Sequence, residues 1–187
     1  MLLSRTVCGG ARLNANVSAH TTVPVTPFHF GPGAALHAIA PRHLSFIAFC
    51  IANVLIDLES LHNLRNDNYP VHAFFHTYIG ASVVVVATLL LFVAARKLGH
   101  VLPNAFGWQQ LTAFQVLVGA AAGAYSHVVL DSIMHGDMAP LAPFSQRNAL
   151  LAIVSLEALH WLCAISGLLA VLVIGGRILK ESRNNER

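Results

Sequence analysis

The sequence predicts an all-α polytopic membrane bundle with about four transmembrane segments. Three observations point there. Hydrophobic residues make up 56% of the 187 residues and charged ones only 10%, with a mean hydropathy of +0.64, whereas ordinary soluble domains carry about 25% charged residues. The apolar residues gather into four runs. The side chains able to bind a metal cluster at the ends of those runs, where a membrane protein carries few polar groups without a functional reason.

Residues 1–24 contain no acid and no long apolar core, so they lack the central segment of a secretory signal. They read as a disordered tail or an over-long start. The membrane domain is expected over residues 25–176, followed by a basic cytoplasmic tail at 177–187.

The first apolar run, residues 44–56, is short for a span, which needs about 20 residues. The segment before it offers an explanation. Gly31-Pro32-Gly33 breaks the chain, residues 34–40 read as helix, and Pro41-Arg42-His43 reads as a turn. The two arms would form an antiparallel helical hairpin, each roughly 20 Å long, with His29 beside Asp57. The rival is one long helix from 34 to 57 kinked at Pro41, which would carry His29 about 30 Å away.

The second run covers 79–95 and is closed by Arg96 and Lys97; the third covers 111–130; the fourth covers 149–176, interrupted by Glu157 and His160. With four spans and an internal N-terminus, nine Lys and Arg residues fall inside and two, Arg65 and Arg147, outside. The hairpin moves Arg5 and Arg12 outside and leaves seven against four. Either way the polar cluster is expected on the outer side of the membrane. The net charge of +3 reflects membrane orientation, and no basic patch interleaved with aromatics suggests nucleic acid. Cys8, Cys50 and Cys163 form no CxxC pair, so neither a thiolate zinc site nor a disulfide framework is expected.

The candidate chemistry lies in three motifs. His72-Ala-Phe-Phe-His76 would place two imidazoles on one helical face, and His127-Val-Val-Leu-Asp131 would do the same for an imidazole and a carboxylate, with His135 one turn on. Asp57-Leu-Glu59 puts two carboxylates at a helix end. Each spacing is weak alone; the shared placement at one membrane face is what carries weight, because a bundle gathers helix ends into one site. Imidazole and carboxylate suit zinc, manganese or iron. Such a metal lowers the pKa of bound water toward about 7. Asp131, with His on both sides of its stripe, is the candidate bridge between two ions, and Glu59 or Asp137 the candidate general base. No phosphate loop, serine elbow or Cys–His pair competes.

The series TPFHFGPG, IDLE, HAFFHT and YSHVVLDSIMHGDMAPLAPF resembles the bacterial inner-membrane metal-dependent hydrolases of the YdjM-like group, over roughly residues 26–145. The order Asp, His, HisxxxAsp, His is also similar to the zinc-dependent phospholipase C and P1 nuclease superfamily of all-helical phosphoesterases. That resemblance implies one to three zinc ions, with Asp57, His72, His127 and Asp131 in one site, His29 in a second bridged by Asp131, and His135 beginning a third. It leaves His76 unassigned. The chain departs from the superfamily in having no late HxxxE but Glu157-Ala-Leu-His160, a pair that reads equally as structural or as support to the metal. The function expected is hydrolysis of an ester, foremost a phosphoester of a lipid or envelope metabolite, with the bilayer and a phospholipid as partners. The alternatives are a metal carrier and a structural membrane protein with a degenerate site.

Overall fold

The computed structural model describes residues 26–185. The expectation for the N-terminal 24 residues lies outside that range. All regular elements among the described residues are helical. A 3-10 turn at Thr26–His29 leads into α1 (Phe30–Ile39), followed by α2 (Phe46–Arg65), α3 (Tyr78–Lys97), a second 3-10 stretch at Ala105–Gln110, α4 (Ala113–Met134) and α5 (Leu156–Asn185). The four from α2 to α5 are long and apolar enough to cross a membrane.

Capping side chains set where these helices begin. Ser45 Oγ accepts from Ala48 N at 3.1 Å, Thr77 Oγ1 from Gly80 N at 2.9 Å, and Ser155 Oγ from Ala158 N at 3.2 Å. Thr112 and Gln115 cap each other reciprocally at the start of α4. Each such cap contributes about 1 kcal/mol by satisfying an orphaned amide. Ser155 also explains a difference from the apolar pattern. The fourth run begins at 149, but α5 starts only at Leu156, after a turn containing Ala152 at φ 57°. At its other end α5 continues to Asn185, so most of the basic tail is helical.

Pro41 reverses the chain. The turn is closed by His43 N and Leu44 N, both donating to Ala40 O, at 3.0 and 3.2 Å. The ten residues of α1 span about 15 Å, half of a hydrocarbon layer of about 30 Å. Ser45 N donates to Gln115 O at 3.0 Å, which sets the turn beside the start of α4. His29, at the far end of the arm, therefore returns toward the ends of α2 and α4 that carry Asp57 and Asp131.

Helix α4 is central, packing on α2 and α3, while α5 packs mainly on α1 and exposes most of its apolar surface. The parallel pair α2–α4 is held in register by two glycines. A Cβ on Gly119 would strike the carbonyl of Ser45, and one on Gly123 would strike that of Phe49. Small residues at this spacing let two helix backbones approach closely. The same register, carried two turns further, sets Asn53 and then Asp57 against His127, with Asp131 in the same group.

Candidate metal centre

Four elements deliver the site. Asp57 comes from α2, and His127 and Asp131 from successive turns of α4. His72 and His76 lie in the 66–77 connection, His135 is the residue after α4, and His29 precedes α1. His127 Nε2 lies 3.1 Å from both Asp57 Oδ1 and Asp131 Oδ2. His76 Nε2 lies 3.4 Å from Asp131 Oδ2 and 3.7 Å from Asp57 Oδ1. His29 Nε2 lies 3.1 Å from Asp131 Oδ1.

These side chains fall into two groups, Asp57–His76–His127–Asp131 and His72–Asp131–His135, in each of which the ligand atoms lie within 4.8 Å of one another. Asp131 belongs to both. His76 and His127 are fully buried and Asp131 is 2% exposed, a costly arrangement unless something satisfies them. Hydrogen bonds do not complete the task. His29 Nε2, His72 Nε2, His127 Nε2 and Asp131 Oδ1 are buried without a hydrogen bond among the described residues. Nitrogen and oxygen atoms crowded together but not directed at one another fit a divalent cation, and the N/O donor set suits zinc, manganese or iron.

The connections are fastened by carboxylates. Asp137 Oδ2 accepts from Val71 N at 2.9 Å and His72 N at 3.1 Å, and Oδ1 lies 2.9 Å from His72 Nδ1. This leaves His72 Nε2 turned toward the cluster, the arrangement by which carboxylates orient metal-binding imidazoles. Burial alone would raise the Asp137 pKa, but the His72 ring and backbone donors outweigh it and hold the carboxyl well below its usual range. Glu59 accepts from Phe74 N at 3.1 Å and Phe75 N at 2.6 Å, clamping the same connection to α2. The two carboxylates expected to move protons are thus both engaged in positioning. His135 stacks on His72 with ring centroids 4.0 Å apart, and burial, reinforced by that neighbour, lowers its pKa. Burial also disfavours charge on His76, yet hydrogen bonds to Asp131 and Asp57 reverse the balance and raise its pKa.

All seven expected metal residues, His29, Asp57, His72, His76, His127, Asp131 and His135, meet in one region. Two details differ from the sequence reading. The HxxxH is not helical: Thr77 caps α3 in extended conformation, and Glu59 takes the amides of Phe74 and Phe75 that a helix would use. The resemblance set His72 beside Asp57 and His127, whereas His76 occupies that place and His72 joins His135. Glu157 is exposed on the first turn of α5, and His160 stacks on Phe28. His62 is exposed near the end of α2.

Asn53 was not singled out from the sequence. It is fully buried one turn before Asp57, with Oδ1 3.0 Å from His127 Nδ1. A polar amide inside the apolar run at 44–56 was the available signal. The chain matches no protein-family model, no curated protein and no solved structure.

Proposed function

We propose that the chain is a metal-dependent hydrolase embedded in the bacterial inner membrane, cleaving an ester, foremost a phosphoester of a lipid or envelope metabolite. The observation that carries this reading is that Asp131 belongs to both ligand groups, which makes it a carboxylate able to bridge two ions. Asp57, His76, His127 and Asp131 would hold the first ion, and His72, His135 and Asp131 the second. Such ions supply Lewis acidity and acidify water at neutral pH. The protein's own part is positional. Asp137 orients His72, Glu59 holds the connection that carries His72 and His76, and the closely packed helices exclude water from most of the site. Access remains at one edge, where the Asp57 and Asp137 side chains are 13% and 14% exposed.

The membrane orientation follows from charge. Arg42, Arg96, Lys97, Arg177, Lys180 and Arg183 lie at the end away from the site, against Arg65 and Arg147 at the site end, and Lys and Arg favour the cytoplasmic side. A carrier would need ligands continued along a path through the bilayer. Among the described residues both ligand groups sit at one end of the bundle, which favours hydrolysis over transport. The test is elemental analysis of purified protein together with a phosphoesterase panel. Bound zinc, manganese or iron, and ester cleavage that disappears in Asp131→Ala, would support the reading. Stoichiometric metal that survives Asp131→Ala would remove its central residue.

A further inference from the structure

We infer that Asn53 fixes the proton of His127 on Nδ1, making that ring a metal ligand through Nε2, and that His29, whose Nδ1 faces the same proton, is left with its own proton on Nε2 and is not a second ligand. This rests on the metal centre proposed above.

The amide is locked first. Asn53 Nδ2 donates to Phe49 O, one turn back on α2, at 2.8 Å. Turning the amide over would set its oxygen against that carbonyl, two acceptors face to face, so the orientation is determined by its partners. Oδ1 then faces His127 Nδ1 at 3.0 Å and, being only an acceptor, requires a proton there. A neutral His127 with its proton on Nδ1 keeps its lone pair on Nε2, the atom 3.1 Å from Asp57 Oδ1 and from Asp131 Oδ2. A hydrogen bond at one ring nitrogen in this way selects which nitrogen binds the metal.

The second histidine follows by exclusion. His29 Nδ1 lies 3.1 Å from the same His127 Nδ1, and two nitrogens so placed can share only one proton. A neutral His29 acting as a ligand through Nε2 would carry its proton on Nδ1. His127 Nδ1 would then have to accept it, leaving Asn53 Oδ1 against a lone pair and moving the His127 proton onto Nε2. The two rings therefore cannot both be neutral Nε2 ligands, and Asn53 decides for His127. The one proton of His29 is on Nε2, 3.1 Å from Asp131 Oδ1.

Nitrogen NMR of 15N-histidine-labelled protein tests this. Spectra are taken without metal and again with zinc, with assignments from His29→Gln and His127→Gln. The expected result is a protonated Nδ1 on His127 and an unprotonated Nδ1 on His29. His29→Gln should retain as many zinc ions per chain as the unaltered protein. Asn53→Leu should lose the His127 Nδ1–H signature and weaken zinc binding about 10- to 100-fold. A proton on His29 Nδ1, loss of one zinc ion in His29→Gln, or unchanged zinc affinity in Asn53→Leu would each overturn the inference. The first two readouts stand even where Asn53→Leu does not fold. Should the unaltered protein bind no zinc, the metal centre fails, while the metal-free spectrum still decides the tautomers.

Discussion

Asp131 is buried and Asp137 half-buried beside the same histidines, yet the two carboxylates answer to different chemistry. Asp131 sits between two ligand groups, so Asp131→Asn should abolish binding at both, measured as metal per chain. His72→Ala should remove only the ion of the second group and leave about half the metal. Asp137 touches His72 through its other ring nitrogen, so Asp137→Asn should weaken the second ion about 10- to 100-fold without removing its ligands. The same contacts give Asp137 a pH signature. Its folded pKa is depressed below that of the unfolded chain, so it stabilises the fold fully above the ordinary carboxylate pKa of about 3.9 and loses that effect as pH falls toward the folded value. Unfolding curves should show Asp137→Asn less stable than the unaltered protein at neutral pH, with the gap closing in acid. A gap that persists in acid would show that the charge is not the source. The sequence made Asp131 readable, because HxxxD lies on an unbroken helix where four residues make one turn. It could not assign His72 and His76, because their connection is irregular and its path depends on where Glu59 and Asp137 hold it.

The α2–α4 pair shows how an element positions the chemistry. Ser45, Phe49, Asn53 and Asp57 climb α2 one turn at a time beside Gly119, Gly123, His127 and Asp131 of α4. The lower two contacts set the distance at which the upper two meet. Gly123→Ala should therefore act twice. Its Cβ would meet the Phe49 carbonyl and the Asn53 amide, costing about 1–3 kcal/mol as overpacking, and the displaced α2 should weaken metal binding as well. Gly175→Ala is the control, because nothing lies within 4 Å of its added Cβ; the higher helix propensity of alanine should leave stability unchanged or slightly raised. Denaturant unfolding in detergent and metal titration would separate the two. Equal effects at both glycines would mean that α2–α4 spacing does not control the site. Helix existence was readable here from the apolar runs. The parallel register was not, since it depends on which small residues face a neighbour's backbone.

At the scale of the whole molecule, the short first run decides the topology. Four spans alone would return both chain ends to one side of the membrane. Because α1 is a half-depth arm turned back at Pro41, Phe28 lies at the site end of the bundle and Asn185 at the other. Pro41 and the short run made the hairpin readable in the sequence, but the arm's length and its packing on α5 emerge only from the tertiary contacts. Charge then supplies a direction, with six Lys and Arg residues named above at the far end against two at the site end. On the proposed inner-membrane orientation, and in a background lacking the native cysteines, Gln146→Cys at the site end should react with a membrane-impermeant thiol reagent added to intact cells whose outer membrane has been opened. Ser182→Cys should react only after the inner membrane is permeabilised. The reverse pattern would turn the metal centre toward the cytoplasm and replace an envelope substrate with an intracellular one. Labelling of both positions from outside would be incompatible with α5 as a span. The experiment therefore tests the orientation on which the choice of substrate rests without requiring that substrate to be known.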